Sequence, residues 1–221
     1  MSAPGSTDAR VAPRVVDAVV KVGGGLLGAT EPGAGPLDAV AAALGEEAAR
    51  GRRLVIVPGG GPFADAVRAA DSRLALGESE AHWMAVLAME QMAHLLVARL
   101  PAAALVDDAP SVWSALAARR LPVLAPYHWL RAADPLPHSW AVTSDSIAAW
   151  LAGELGASRL VLVKPVAGEL SAMVDAHFGA ALPPGVQATV VGAEPWALFA
   201  GALARALDET PDEMLSDTLD G

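Results

Sequence analysis

Short apolar runs alternate with longer stretches of helical spacing along most of the chain. The runs at 15–22, 54–57, 103–106, 121–124, 160–163 and 187–191 are rich in Val, Leu, Ile and Ala and lack the polar alternation of a half-exposed strand. Such runs fit strands buried on both faces. Between them, 37–50, 62–70, 78–100, 111–119, 145–155 and 195–207 place apolar residues at helical intervals. Strands alternating with helices require crossovers, and crossovers build a mostly parallel sheet covered on both faces. The fold class is therefore α/β. The segment 125–140, rich in proline and aromatic residues, has no clear period and reads as a loop over a site at the sheet edge. No internal repeat or second domain is visible. Residues 1–14 read as a flexible leader, 15–207 as one domain and 208–221 as an acidic, solvated tail.

Composition narrows the partners. Hydrophobic residues make up 53% of the chain and charged residues 18%, which is globular rather than disordered. The longest apolar stretch, 81–106, is interrupted by Glu90, Gln91, His94, Arg99 and Pro101, so it does not read as a membrane span. The first residues lack the apolar core of a signal peptide, and a cytoplasmic location is the simplest expectation. A net charge of −10 argues against nucleic acid and anionic membranes as partners. With no cysteine, disulfides, thiolate metal sites and thiol nucleophiles are excluded. The histidines do not show the spacing of a helical metal pair, so no metal ligands are assigned.

Candidate chemistry gathers where strands end. The chain holds only two lysines, Lys21 and Lys164, against thirteen arginines, and both lysines close an apolar strand. A lysine is a compact ammonium suited to a point contact with phosphate. The bland alternative is two ammoniums that reach solvent by chance. Lys21 is followed by Gly23-Gly24-Gly25, and the next strand by Gly59-Gly60-Gly61. Loops without Cβ atoms let backbone N–H groups approach an anion, and the second loop also opens a helix. Two such loops after successive strands point to a polyanion lying between them. Neither is a Walker motif. Thr143-Ser144-Asp145 precedes an apolar helical run; a hydroxyl N-cap with an acid in the first turn is sufficient reason for it, and leaves the Asp145 carboxylate free to orient a lysine.

KVGGG, VPGGGPFADAVR, TSDSIAAWLA and LVLVKPVAG, in that order and at these separations, resemble the amino acid kinase superfamily over 15–168. HWMAVLAMEQ and SWAVTSDSIAAWLA are similar to a narrower branch, the aminomethyl-furanmethyl phosphate kinases of methanofuran-type cofactor synthesis. The resemblance implies a three-layer αβα fold and transfer of a phosphoryl group from ATP, with Mg2+ carried by the nucleotide, to a phosphate or carboxylate oxygen of a small phosphorylated acceptor. It implies that Lys21 neutralises the transferred group, that Asp145 orients lysines, and that Lys164 stands in for a later lysine of relatives. Gly23, Gly24, Gly25, Val166 and Gly168 would contact ATP or its phosphates. Gly59, Gly60, Gly61, Phe63, His82, Trp83, Thr143 and Ser144 would hold the acceptor. The loop Lys164-Pro165-Val166-Ala167-Gly168 lacks the acid usual in relatives, which leaves a ligand-binding relative without kinase activity as the alternative. The apolar excess of the 78–100 helix predicts a homodimer or higher homo-oligomer.

Overall fold

The computed structural model describes residues 15–27 and 35–208. The leader lies outside the described residues, and so does the tail beyond Asp208. Six strands form one sheet: β1 Ala18–Val22, β2 Leu54–Pro58, β3 Ala103–Val106, β4 Leu121–Leu124, β5 Arg159–Lys164 and β6 Gln187–Gly192, in the order β3-β4-β2-β1-β5-β6. Every pairing is parallel. The helices are α1 Pro36–Ala49, α2 Gly61–Leu74, α3 Glu78–Arg99, α4 Ala109–Ala117, α5 Tyr127–Ala133, α6 Ser144–Glu154, α7 Leu170–Met173, α8 Phe178–Ala181 and α9 Phe199–Asp208. No described helix is long and apolar enough to cross a membrane.

Alternation along the strands divides the core into two layers. Val20, Ile56, Val161 and Val163 face α1 and α9, where Val40, Leu44, Phe199 and Leu203 cover them. Val19, Val55, Val57, Leu160 and Leu162 face the opposite way, under Val112 of α4 and Ile147 and Leu151 of α6. The result is the expected αβα sandwich. Both faces of the central strands are dry, which is why their sequences read as unbroken apolar runs.

Three segments depart from the sequence-based expectation. The 125–140 segment is not all loop. Its residues 127–133 form α5, which begins after Pro126, ends at Asp134 in the left-handed region (φ 42°), and ties Tyr127 N–H to the Glu90 carboxylate at 3.1 Å. The stretch after β5 holds α7 and α8, four residues each and too short to show a period. Helix α2 runs four residues past its expected end at position 70, to Leu74. The apolar excess of α3 is mostly absorbed: Val86, Met89, Met92 and Leu96 are buried, while Met84 and Leu87 stay 39% exposed.

The glycine loops are packed against one another. Gly23 N–H donates to the Val163 carbonyl at 2.9 Å and Gly59 N–H to the Val22 carbonyl at 2.8 Å, extending the strand ladders into the loops. A Cβ on Gly24 would lie 2.1 Å from Gly61 Cα and 2.2 Å from its nitrogen. Gly61 itself has φ +53°, a conformation that glycine adopts without Cβ strain. Gly24→Ala should therefore lower stability by about 1–3 kcal/mol, the usual range for overpacking. Gly179→Ala in α8, where a Cβ would meet nothing within 4 Å, should change it by less than about 1 kcal/mol. Denaturant midpoints of the two variants check this; equal midpoints would contradict the loop packing.

Candidate active site

Register brings the two lysines to one face. Lys21 lies opposite Leu162 in the β1–β5 pairing, so alternation sends Lys21, Leu162 and Lys164 to the same side of the sheet. Helix α6 covers that side, and its first turn overhangs the two strand ends. Asp145 descends from this turn and is shared by both lysines. Its Oδ1 lies 2.9 Å from Lys21 Nζ, and its Oδ2 accepts a hydrogen bond from Lys164 Nζ at 2.7 Å. The side chains are 6% exposed for Lys21 and Asp145 and 13% for Lys164.

The electrostatics follow from this sharing. Burial pulls the Lys21 ammonium below its ordinary range; Asp145 opposes that shift and Lys164 adds to it. For Asp145, burial works to raise the pKa, but the Lys21 charge together with the Lys164 hydrogen bond and charge outweighs it, holding the carboxyl below the usual carboxylate range. With both lysines protonated, two ammoniums against one carboxylate carry one positive charge in excess. A buried site with uncompensated positive charge is a receptor for an anion.

Beside this cluster opens a cavity of about 370 Å3. Gly24, Gly25, Gly60, Gly61, Thr143 and Ser144 form the wall nearest the lysines. The far wall comes from α2, α3 and the 139–142 segment. There Trp140 is fixed from two sides: its indole N–H donates to Asp71 at 2.7 Å, and the Arg68 guanidinium lies 4.4 Å from its ring. His82, 8% exposed, also lines the cavity. Its ring stacks on His138 at 4.6 Å, and His138 is held by Ser79 at 2.6 Å and Asp134 at 2.8 Å.

The positions predicted from sequence separate into groups. Lys21, Asp145 and Lys164 come together. Gly24, Gly25, Gly60, Gly61, His82, Thr143 and Ser144 line the cavity, with Gly23 and Gly59 behind them in the strand ladders. Phe63 and Trp83 are not among the lining residues. Trp83 instead stands edge-on to His82 at 4.9 Å and to Tyr127 at 5.9 Å, under the Arg131 guanidinium. Val166 and Gly168 belong to the loop after β5 and are not among the lining residues; a Cβ on Gly168 would lie 3.1 Å from the Met173 side chain. The space between the glycine loops is filled by their own backbones at Gly24 and Gly61, so an anion has its open volume beside them. Trp140 closes the 125–140 segment expected over the site, whereas Arg68 and Asp71 escaped the sequence reading. The i, i+3 spacing of Arg68 and Asp71 on α2 places them on one helix face, but nothing local says which face meets Trp140.

The donor set fits a polyphosphate: two ammoniums and glycine loops free of Cβ atoms. Among the described residues no group of three or more His, Asp or Glu is arranged to hold a metal ion.

The amino acid kinase family model matches residues 18–172, and the chain belongs to this family. A curated relative is the [5-(aminomethyl)furan-3-yl]methyl phosphate kinase of Methanocaldococcus jannaschii, 28% identical over 117 residues. That match covers 53% of this chain and 54% of the relative, so the chain spans about half the length of the curated relative it matches. Similar solved structures include the uridylate kinase of Archaeoglobus fulgidus, with TM-score 0.52 and 20% identity over 68% of this chain and 64% of that one. The UMP kinase of Ureaplasma parvum gives TM-score 0.53 and 17% identity over 71% and 73%. At these identities the structures establish a shared fold.

His82 carries a pH signature of the cavity wall. Burial, then the neighbouring His138, lowers it from 6.5 to about 4, against the opposing charge of Asp134. Between those values the unfolded chain binds a proton that folded His82 refuses, so stability falls as pH drops through this window. His82→Gln should remove that part of the loss. Denaturation at about pH 7 and about pH 4.5 checks it; parallel losses in wild type and variant would contradict the burial of a neutral imidazole here.

Proposed function

We propose that this protein transfers a phosphoryl group from MgATP to an oxygen of a small anionic acceptor held in the cavity beside Gly60 and Gly61. The acceptor is inferred to be a furanmethyl phosphate of the kind that the Methanocaldococcus relative is named for. The observation that carries the reading is the convergence of the chain's two lysines on one buried aspartate.

Transfer forms a bond from the acceptor oxygen to the γ-phosphorus and breaks the bond to the bridging oxygen of the leaving ADP. A phosphate acceptor is already an anionic nucleophile, so alignment and charge neutralisation are the main demands on the protein. Lys21 and Lys164 answer the charge on the moving group, and Asp145 keeps both ammoniums aimed. N–H groups of Gly24 and Gly25 contact the transferred group, and those of Gly60 and Gly61 hold the acceptor's anionic end, while the Gly23 and Gly59 N–H groups stay in the strand ladders and shape the loops. Thr143 and Ser144 complete that wall. Val166 and Gly168 serve the nucleotide from the loop after β5. Trp140 and His82 offer flat faces against which a planar ring stacks. The exposed Met84 and Leu87 of α3 support self-association through that helix, which light scattering at micromolar concentration tests; a monomer rejects it.

One observation favours a second reading, ligand binding without transfer. The segment 164–168 has no acid, and Val166 and Ala167 lie so close to Gly192 that a Cβ there would sit 2.3 Å from Ala167 nitrogen. Turnover decides between the two. Lys21→Ala and Lys164→Ala should each lower it by about a hundredfold to a thousandfold, the range for removing a group aimed at developing charge. Arginine at either position should not restore it, because the planar guanidinium is wider and aims its donors differently. Asp145→Asn should impair turnover, with Thr143 still the N-cap of α6. Near-normal rates in both lysine variants would reject the shared site. Faster phosphorylation of uridylate than of a furanmethyl phosphate would reject the acceptor.

A further inference from the structure

The first turn of α6 is held from outside its own helix. Asp175, between α7 and α8, accepts four hydrogen bonds from it. Its Oδ2 takes the Thr143 N–H at 2.9 Å, the Thr143 hydroxyl at 2.7 Å and the Ser146 N–H at 3.1 Å. Its Oδ1 takes the Ser146 hydroxyl at 2.5 Å and, from its own segment, the His177 N–H at 3.1 Å. The first N–H groups of a helix have no partner within the helix and favour a carboxylate. Here the resident N-cap is weak: the Thr143 hydroxyl oxygen meets Asp145 N–H only at 3.4 Å. Asp175 supplies the stronger cap from another part of the chain.

The placement of this cap matters more than its strength. Asp145 lies between Thr143 and Ser146, so Asp175 grips residues on both sides of it while the Asp145 side chain points to the lysines. Among the described residues, the partners the structure shows for the Asp145 carboxylate are Lys21 and Lys164, the groups it orients. Fixing the turn therefore fixes where the carboxylate can sit. The chain closes a circuit: Lys164 ends β5, the following residues lead through α7 to Asp175, and Asp175 returns through the α6 turn to Asp145, which bonds Lys164. Asp175 also lies three residues beyond the segment matched by the family model, which ends at 172.

We propose that Asp175 is a positioning residue of the Lys21–Asp145–Lys164 site, setting the Asp145 carboxylate by clamping the first turn of α6. The inference rests on the phosphoryl-transfer reading for its consequence in catalysis, but not for its geometry. A merely structural cap would change stability and nothing at the lysines.

The chain's lysine count makes the distinction measurable. Protein labelled with 13C at lysine Cε gives two side-chain signals, one per lysine, assigned through Lys164→Arg. Asp175→Asn keeps the size of the side chain but turns one acceptor oxygen into a donor. Ser146→Ala removes one bond to the same carboxylate and guards against a variant that does not fold. In ligand-free protein both substitutions should move both lysine signals, Asp175→Asn the further. Turnover number should fall by on the order of 100-fold in Asp175→Asn, the cost of a misplacement near 1 Å, with KM near wild type. Lysine signals unmoved in folded variants, whatever the change in melting temperature, would overturn the proposal. Signals that move in a protein whose wild type transfers no phosphate would uphold the clamp and reject the kinase reading.

Discussion

Two ammoniums at neighbouring strand ends repel one another, and taking each out of water costs roughly several kcal/mol. Asp145 is what allows both to stay. By giving one oxygen to each lysine it offsets their repulsion, yet it leaves one positive charge uncompensated. Much of the architecture follows from making this contact possible. The chain places β2, β4 and β3 on one side of β1 and β5 and β6 on the other, so β1 and β5 are neighbours at the point where the winding reverses. Ligands of open parallel sheets bind at such reversals, beyond the carboxyl ends of the strands. Helix α6 then lies across the face to which both lysines point.

The glycine loops have a double role under this constraint. Gly24 and Gly61 bring the exits of β1 and β2 into backbone contact, which no side chain at Gly24 would permit. That contact closes the floor of the cavity and pushes the open volume toward α2, α3 and Trp140. Under the proposed function, acceptor shape would be read by side chains of those helices, whereas the phosphoryl group would be met by elements of the central sheet. The two tasks can diverge separately, as in a family whose members act on different acceptors from one scaffold.

Most of the fold was legible because its signals are local. Strands buried on both faces announce themselves as short apolar runs, and α1, α3, α6 and α9 carry enough turns to show a period. Helix α5 was hidden because seven residues bracketed by Pro126 and Pro135 look like a loop. Helices α7 and α8 are single turns. The lysine pair was legible for a different reason. In a chain that otherwise uses arginine, two lysines at strand ends stand out, and parallel register needs only β1 and β5 to be adjacent for them to meet. The cavity wall was legible only in part: Trp140 closes the segment read as covering the site, but Arg68 and Asp71 reach it only through the way α2 meets that segment. Asp175 gave no signal at all: a lone acid in an irregular segment says nothing about the helix it caps.

The central claim is that the Lys21–Asp145–Lys164 cluster receives the phosphates of the donor. A crystal structure with Mg2+ and a non-hydrolysable ATP analogue measures it directly, through the distances from each Nζ to the nearest phosphate oxygen. The account predicts both ammoniums within about 3 Å of phosphate oxygens, the range of a charge-assisted hydrogen bond, with Asp145 still contacting each lysine. Phosphates bound elsewhere, with both lysines closed on Asp145 alone, would contradict it.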